Sequence, residues 1–155
     1  MHVAQQGEAI LSLRSQEMSV EEITRPWMQA LIDEMQTTME IRQGVGIAAP
    51  QVYVSRRVII VASRPNARYP NAPEMPAIAM INPVIVQQSP ETLLGEEGCL
   101  SVPLQRGQVS RAAQITVRYL DIQGQAHTQQ FEGFPARIVQ HEIDHLDGIL
   151  FTERL

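Results

Sequence analysis

Gln140-His141-Glu142-Ile143-Asp144-His145-Leu146-Asp147-Gly148 decides how this sequence is read. Gly133 and Pro135 open a helix before it and Gly148 is placed to end one. Two histidines four residues apart on that helix share a face, because about 3.6 residues complete a turn. Ile138, Val139, His141, Glu142, Ile143, His145 and Leu146 fall on one broad arc; Arg137, Gln140, Asp144 and Asp147 fall on the other. Turning two imidazoles and a carboxylate inward without strong partners would cost several kcal/mol. A metal ion removes that conflict, and His-Glu-x-x-His is a pattern in which two histidines ligate an ion beside a glutamate. Cys99, the single cysteine, is a natural third ligand because thiolates bind borderline and soft divalent ions. By itself it reads more readily as a small core residue, and its setting reverses that preference.

Upstream, Thr24 as a cap and Pro26 in a first turn introduce an amphipathic helix. Its stripe is Met28, Leu31, Ile32, Met35 and Met39, core filler rather than a ligand box. Ala4 to Ser19 has weak periodicity and reads as an extended arm. Gly44 to Gln51 reads as a loop or irregular edge, Val58-Ile59-Ile60-Val61 as a buried strand, and Ile78 to Ile81 as another that stops at Asn82-Pro83. Between those strands, four prolines within Ser63 to Pro76 predict a surface excursion. Ile115, Val117 and Tyr119 alternate with polar residues, and Gln123-Gly124 turns the chain into a hairpin with Ala126 to Phe131.

The chain has 155 residues, enough for one domain spanning 1–155, and its 44% hydrophobic content supports a core. A net charge of −5 has the wrong sign for nucleic acid or anionic lipid as a default partner. One cysteine forms no internal disulfide, and neither a signal-like N-terminus nor a run of about 18 apolar residues occurs. The expectation is a cytoplasmic protein with no membrane segment.

Three segments, Gly44-Val45-Gly46-Ile47-Ala48-Ala49-Pro50-Gln51, Glu97-Gly98-Cys99-Leu100-Ser101 and Gln140 to Gly148, resemble the signature motifs of the peptide deformylases, in the family's order. Asn82-Pro83 and Arg106 to Arg111 also look like family features. The resemblance implies an α+β fold with antiparallel β-sheets packed around a central metal-binding helix. It implies removal of the formyl group from the N-formylmethionine of newly made polypeptides, some of them still on the ribosome. Cys99, His141 and His145 would hold one divalent ion, Fe(II) by family habit, with Zn(II), Ni(II) or Co(II) accepted. The family's mechanism is metal-hydroxide attack, the ion lowering the pKa of water from 15.7 toward about 7. By the same resemblance Glu142 is the general base, and Gln51 and the Leu100 N–H are oxyanion donors. Gly44, Gly46, Ile47 and Gly95 would lie along the bound peptide.

Ile47 replaces the leucine of many members, the Ser63 to Pro76 stretch is longer than in compact ones, and the sequence given ends at Leu155, before the further helix of many bacterial members. Arg106 and Arg111 read as solvated surface arginines outside catalysis. The nearest rival is a zinc endopeptidase, which shares His-Glu-x-x-His but not the Glu-Gly-Cys-Leu-Ser setting of Cys99. A fold that keeps the ion only for structure is a second rival, and it would need neither Glu142 nor Gln51. A dinucleotide loop at Gly44 and Gly46 fails because a helix rather than a strand precedes it.

Overall fold

The methionine stripe is buried as its spacing predicts: Met28, Leu31, Ile32, Met35 and Met39 all lie in the core along α2 (Pro26–Ile41), which follows the single turn α1 (Val20–Ile23). The structure, a computed structural model, describes residues 2–155. Thr24 is not the cap of α2 but closes α1; Arg25, held extended by the proline that follows it, precedes the first turn.

Strands β1 (Gly46–Ala48), β2 (Val58–Ser63), β3 (Met75–Gln88), β6 (Gln114–Leu120) and β7 (Ala126–Glu132) form an antiparallel sheet in the order β1-β2-β3-β6-β7. A second, two-stranded sheet pairs β4 (Thr92–Cys99) with β5 (Val102–Ala112). Helix α3 (Gly133–Leu146) packs on one face of the larger sheet, with Ile59, Val61 and Met80, and α2 packs on the other, with Val58, Ile60 and Ile81. Alternate residues of β2 thus feed two cores, which is why Val58 to Val61 is continuously apolar. The fold is α+β with the metal-helix candidate at its centre, as the resemblance implied.

Several expectations are corrected. β3 does not stop at Asn82-Pro83. It bulges there, with Asn82 at φ 52°, and runs on to Gln88. Pro83 cannot donate to the ladder, and the register shift between Ile81 and Val84 accommodates it. The Asn82 side chain brackets the Met18 backbone, accepting from its N–H at 2.8 Å and donating to its carbonyl at 2.9 Å. The arm is packed onto the core. Val3, Ala4 and Leu11 are buried, the Ala4 N–H donates to the Gln51 carbonyl at 2.7 Å and the Gln6 N–H to Ser101 at 2.9 Å. It therefore braces both loops that flank Cys99. The β4–β5 ribbon, which periodicity did not reveal, contains Gly95, Gly98, Pro103 and Gly107, residues of low strand propensity.

Candidate metal centre and active site

Cys99 ends β4, and α3 aims His141, Glu142 and His145 at it; none of the four is more than 8% exposed. One ligand atom from each of Cys99, His141 and His145 lies within 4.8 Å of the other two, and Cys99 Sγ is 3.3 Å from His145 Nε2. His141 Nδ1 sits 2.9 Å from Glu97 Oε1. Glu97 is ionised and can only accept, so Nδ1 keeps a proton, and a bound ion that displaces the other would meet the Nε2 lone pair, the tautomer a metal ligand needs.

The polar groups around this triad divide sharply. Among the described residues, Glu142 Oε1 and His145 Nδ1 are buried with no hydrogen-bond partner, and Ser63 Oγ is the one other such side-chain atom. Buried polar atoms are otherwise satisfied in folded proteins, so orphans beside two imidazoles and a thiol fit a centre that takes a cation and water. The donor set of one sulfur and two nitrogens suits a divalent transition ion. A cavity of about 30 Å³, room for a water molecule, opens beside Glu142 and is lined also by Gly44, Gly46, Gln51, Cys99, Leu100 and His141.

Ionisation follows from these contacts. Burial opposes charge on Cys99, but His145 and His141 outweigh it and hold the thiol well below its usual range. Burial likewise opposes a charged His141, and Cys99, Glu97 and Glu142 outweigh it and push the imidazole well above its ordinary value. Glu97 is held below the carboxylate range by Arg111 and His141 despite desolvation. Glu142 goes the other way: burial dominates and raises it, the direction a proton-carrying carboxyl requires.

Gln51 is 1% exposed; its Oε1 accepts from the Ala48 N–H at 2.9 Å and its Nε2 donates to Ser101 Oγ at 3.0 Å while facing Cys99 Sγ at 3.7 Å. Gly46 is a glycine for a reason the sequence hid, since a Cβ there would stand 2.6 Å from Glu142 Oε2. Gly44 faces Leu100, whose Cδ1 would meet a Cβ at 3.1 Å. Two proposed peptide contacts are not brought to the cavity. Ile47 is fully buried against α2, and Gly95 makes room for Arg137, whose guanidinium carbon would be 2.8 Å from a Cβ.

Arg111 is not a solvated surface residue. It is buried, with Nε and Nη2 on Glu97 at 2.9 Å each and Nη1 on Asp144 at 2.6 Å. Arg137 adds Nη1 to Glu97 at 2.8 Å. Sequence reasoning assigned Glu97 no role, although period 2 along β4 places it on the face of Cys99. The Ser63 to Pro76 excursion is shorter than expected, since Ser63 ends β2 and Met75 and Pro76 open β3, and it reaches the site: Arg68 and Tyr69 line the cavity, and Tyr69 packs on Phe134 with ring centroids 5.2 Å apart.

Comparison with known proteins agrees with this centre. The sequence model of the family described as Polypeptide deformylase matches residues 1–155. Peptide deformylase 2 of Nostoc sp. is 53% identical over 144 residues, covering 93% of this chain and 80% of that protein. Peptide deformylase 2 of Shewanella oneidensis is 46% identical over 152 residues, covering 98% and 82%. A Met-Ala-Ser-bound crystal structure of class I type b peptide deformylase from Acinetobacter baumannii superposes with a TM-score of 0.98 at 59% identity, covering 100% of this chain and 98% of that one. A sulfur and two imidazoles gathered around buried, unpartnered polar atoms, on a fold and sequence shared with these enzymes, place this chain in the polypeptide deformylase family.

Proposed function

We propose that residues 1–155 act as one catalytic domain that hydrolyses the formyl amide of N-formylmethionyl peptides, nascent chains at the ribosome among them, with Glu142 as its proton carrier. Membership in the family makes the chain a deformylase that removes the N-terminal formyl group. The residue roles are the reading advanced here, and the unpartnered Glu142 Oε1 beside a water-sized cavity carries it. Cys99, His141 and His145 would hold the divalent ion, which when bound would acidify water near neutral pH and polarise the formyl carbonyl. We take Fe(II) as the native ion, with Zn(II), Ni(II) and Co(II) as substitutes the same donors accept.

Glu142, already disposed by burial to take up a proton, receives one from the attacking water and returns it to the departing amine nitrogen. Gln51 keeps one N–H on Ser101 and turns the other from sulfur to the developing oxyanion, which the Leu100 N–H also meets. Gly46 leaves Glu142 the space to swing between its two partners. β1 is an edge strand of the larger sheet, so an extended peptide can add to it past Gly44 and Gly46 with little demand on sequence. Met-Ala-Ser in the Acinetobacter enzyme supports that ligand class.

Formate release from formyl-Met-Ala-Ser by anaerobically purified, metal-analysed protein tests the proposal. Turnover with no cleavage of unformylated Met-Ala-Ser is expected; peptide cleavage, or no formate from metal-loaded protein, would overturn it.

A further inference from the structure

The 3-10 turn Phe151–Arg154 reaches His141 by two independent routes. Phe151 is buried and its ring lies against the His141 imidazole, centroids 6.1 Å apart and 24° from parallel. Arg154 closes a fork on Asp144, Nε to Oδ2 at 2.6 Å and Nη2 to Oδ1 at 2.9 Å. Arg111 shares Asp144 Oδ2 at 2.6 Å and grips both oxygens of Glu97, and Glu97 Oε1 holds His141 Nδ1 at 2.9 Å. Charges alternate along Arg154, Asp144, Arg111 and Glu97, and Arg154, its side chain 43% exposed, is the one member of the line that is not buried. With Arg154 engaged, both Asp144 oxygens are taken and Arg111 is held where it can divide itself between two carboxylates. Without it, Asp144 is free to rotate and draw Arg111 off Glu97.

We propose that Arg154 and Phe151 are positioning residues that set the orientation of His141 toward the metal, so that this turn tunes ion affinity from outside the ligand set. The proposal rests on the metal-centre reading above. It differs from simple packing because the charge relay and the ring contact converge on one imidazole. Partners that touch a ligand directly are typically worth about 10–100-fold in metal affinity. Arg154 acts through three intervening residues, and a smaller change, about threefold to tenfold, is expected for its loss.

The test is Co(II) titration of metal-free protein by chelator competition, with the visible Co(II) bands recorded. Arg154→Ala should raise the Co(II) dissociation constant about threefold to tenfold and shift the bands, Arg154→Lys should recover part of both, and Phe151→Leu should shift the bands independently. Arg14→Ala, which removes an exposed arginine on Asp147, serves as control and should change neither. Should Arg154→Ala fail to fold, Arg154→Gln keeps a donor and carries the same measurement. An unchanged dissociation constant and spectrum in the folded Arg154 variants, with or without a lower Tm, would overturn the proposal, as would an equal shift in Arg14→Ala. Wild-type protein that binds Co(II) with the expected variant shifts yet releases no formate would overturn the deformylase reading and leave this one standing.

Discussion

Both sides of α3 carry buried polar residues and treat them in opposite ways. On one side Arg137, Gln140 and Asp144 are buried and fully engaged: Gln140 pairs with the Ala112 backbone in both directions, at 3.1 and 2.9 Å, and the charged residues form ion pairs. On the other side Glu142 and His145 are as deeply buried and each leaves an atom without a partner. Satisfied polar burial fixes the helix; unsatisfied polar burial marks where a ligand and a reaction belong.

That contrast can be broken from either side. Glu142→Ala should keep the metal, by elemental analysis, and lose about 10²–10⁴-fold in formate release, because a positioned proton carrier typically supplies that much. Unchanged turnover would remove Glu142 from the chemistry. On the satisfied side, Arg111→Ala leaves Glu97 to Arg137 and Asp144 to Arg154 and should cost about 3 kcal/mol in urea unfolding, with metal affinity falling as the Glu97 acceptor of His141 loses its bidentate clamp. A mild loss would mean that solvent reaches the pair.

Gln51→Ala should lower kcat about 10²–10³-fold with metal content unchanged. A rise in KM alone would make Gln51 a binding residue instead. Gln140→Ala, smallest of the four, should cost about 1–3 kcal/mol of stability for the unpaired Ala112 groups. It should leave kcat and metal affinity untouched, and an effect on either would show that the two sides of the helix are coupled through more than the charge relay.

Much of the fold was legible where one local rule decides. The stripe of α2, the hairpin β6–β7, the run in β2 and the bounds of α3 all followed from periodicity and from glycine or proline at the ends. The β4–β5 ribbon was not, because its strands carry three glycines and a proline and are defined by each other rather than by a buried face of their own. Within the site, Cys99, His141, Glu142 and His145 were found together. Glu97, Arg111 and Asp144 were not, since a charged residue in a sequence reads as solvated until its partner is known.

The helical spacing alone determined that two imidazoles and a carboxylate share one face of α3, because backbone geometry sets the direction of each side chain from its neighbours four residues away. Only the tertiary structure decided that Arg137, Gln140 and Asp144 of the opposite arc are buried too and that Gly46 and Gly95 exist to admit Glu142 and Arg137. It alone decided that an arginine at 154 stands in a line of charge ending on His141. Those facts depend on contacts spanning 33 residues from Arg111 to Asp144 and 44 from Glu97 to His141, and whether a charge is satisfied is a property of the pair that no local pattern encodes.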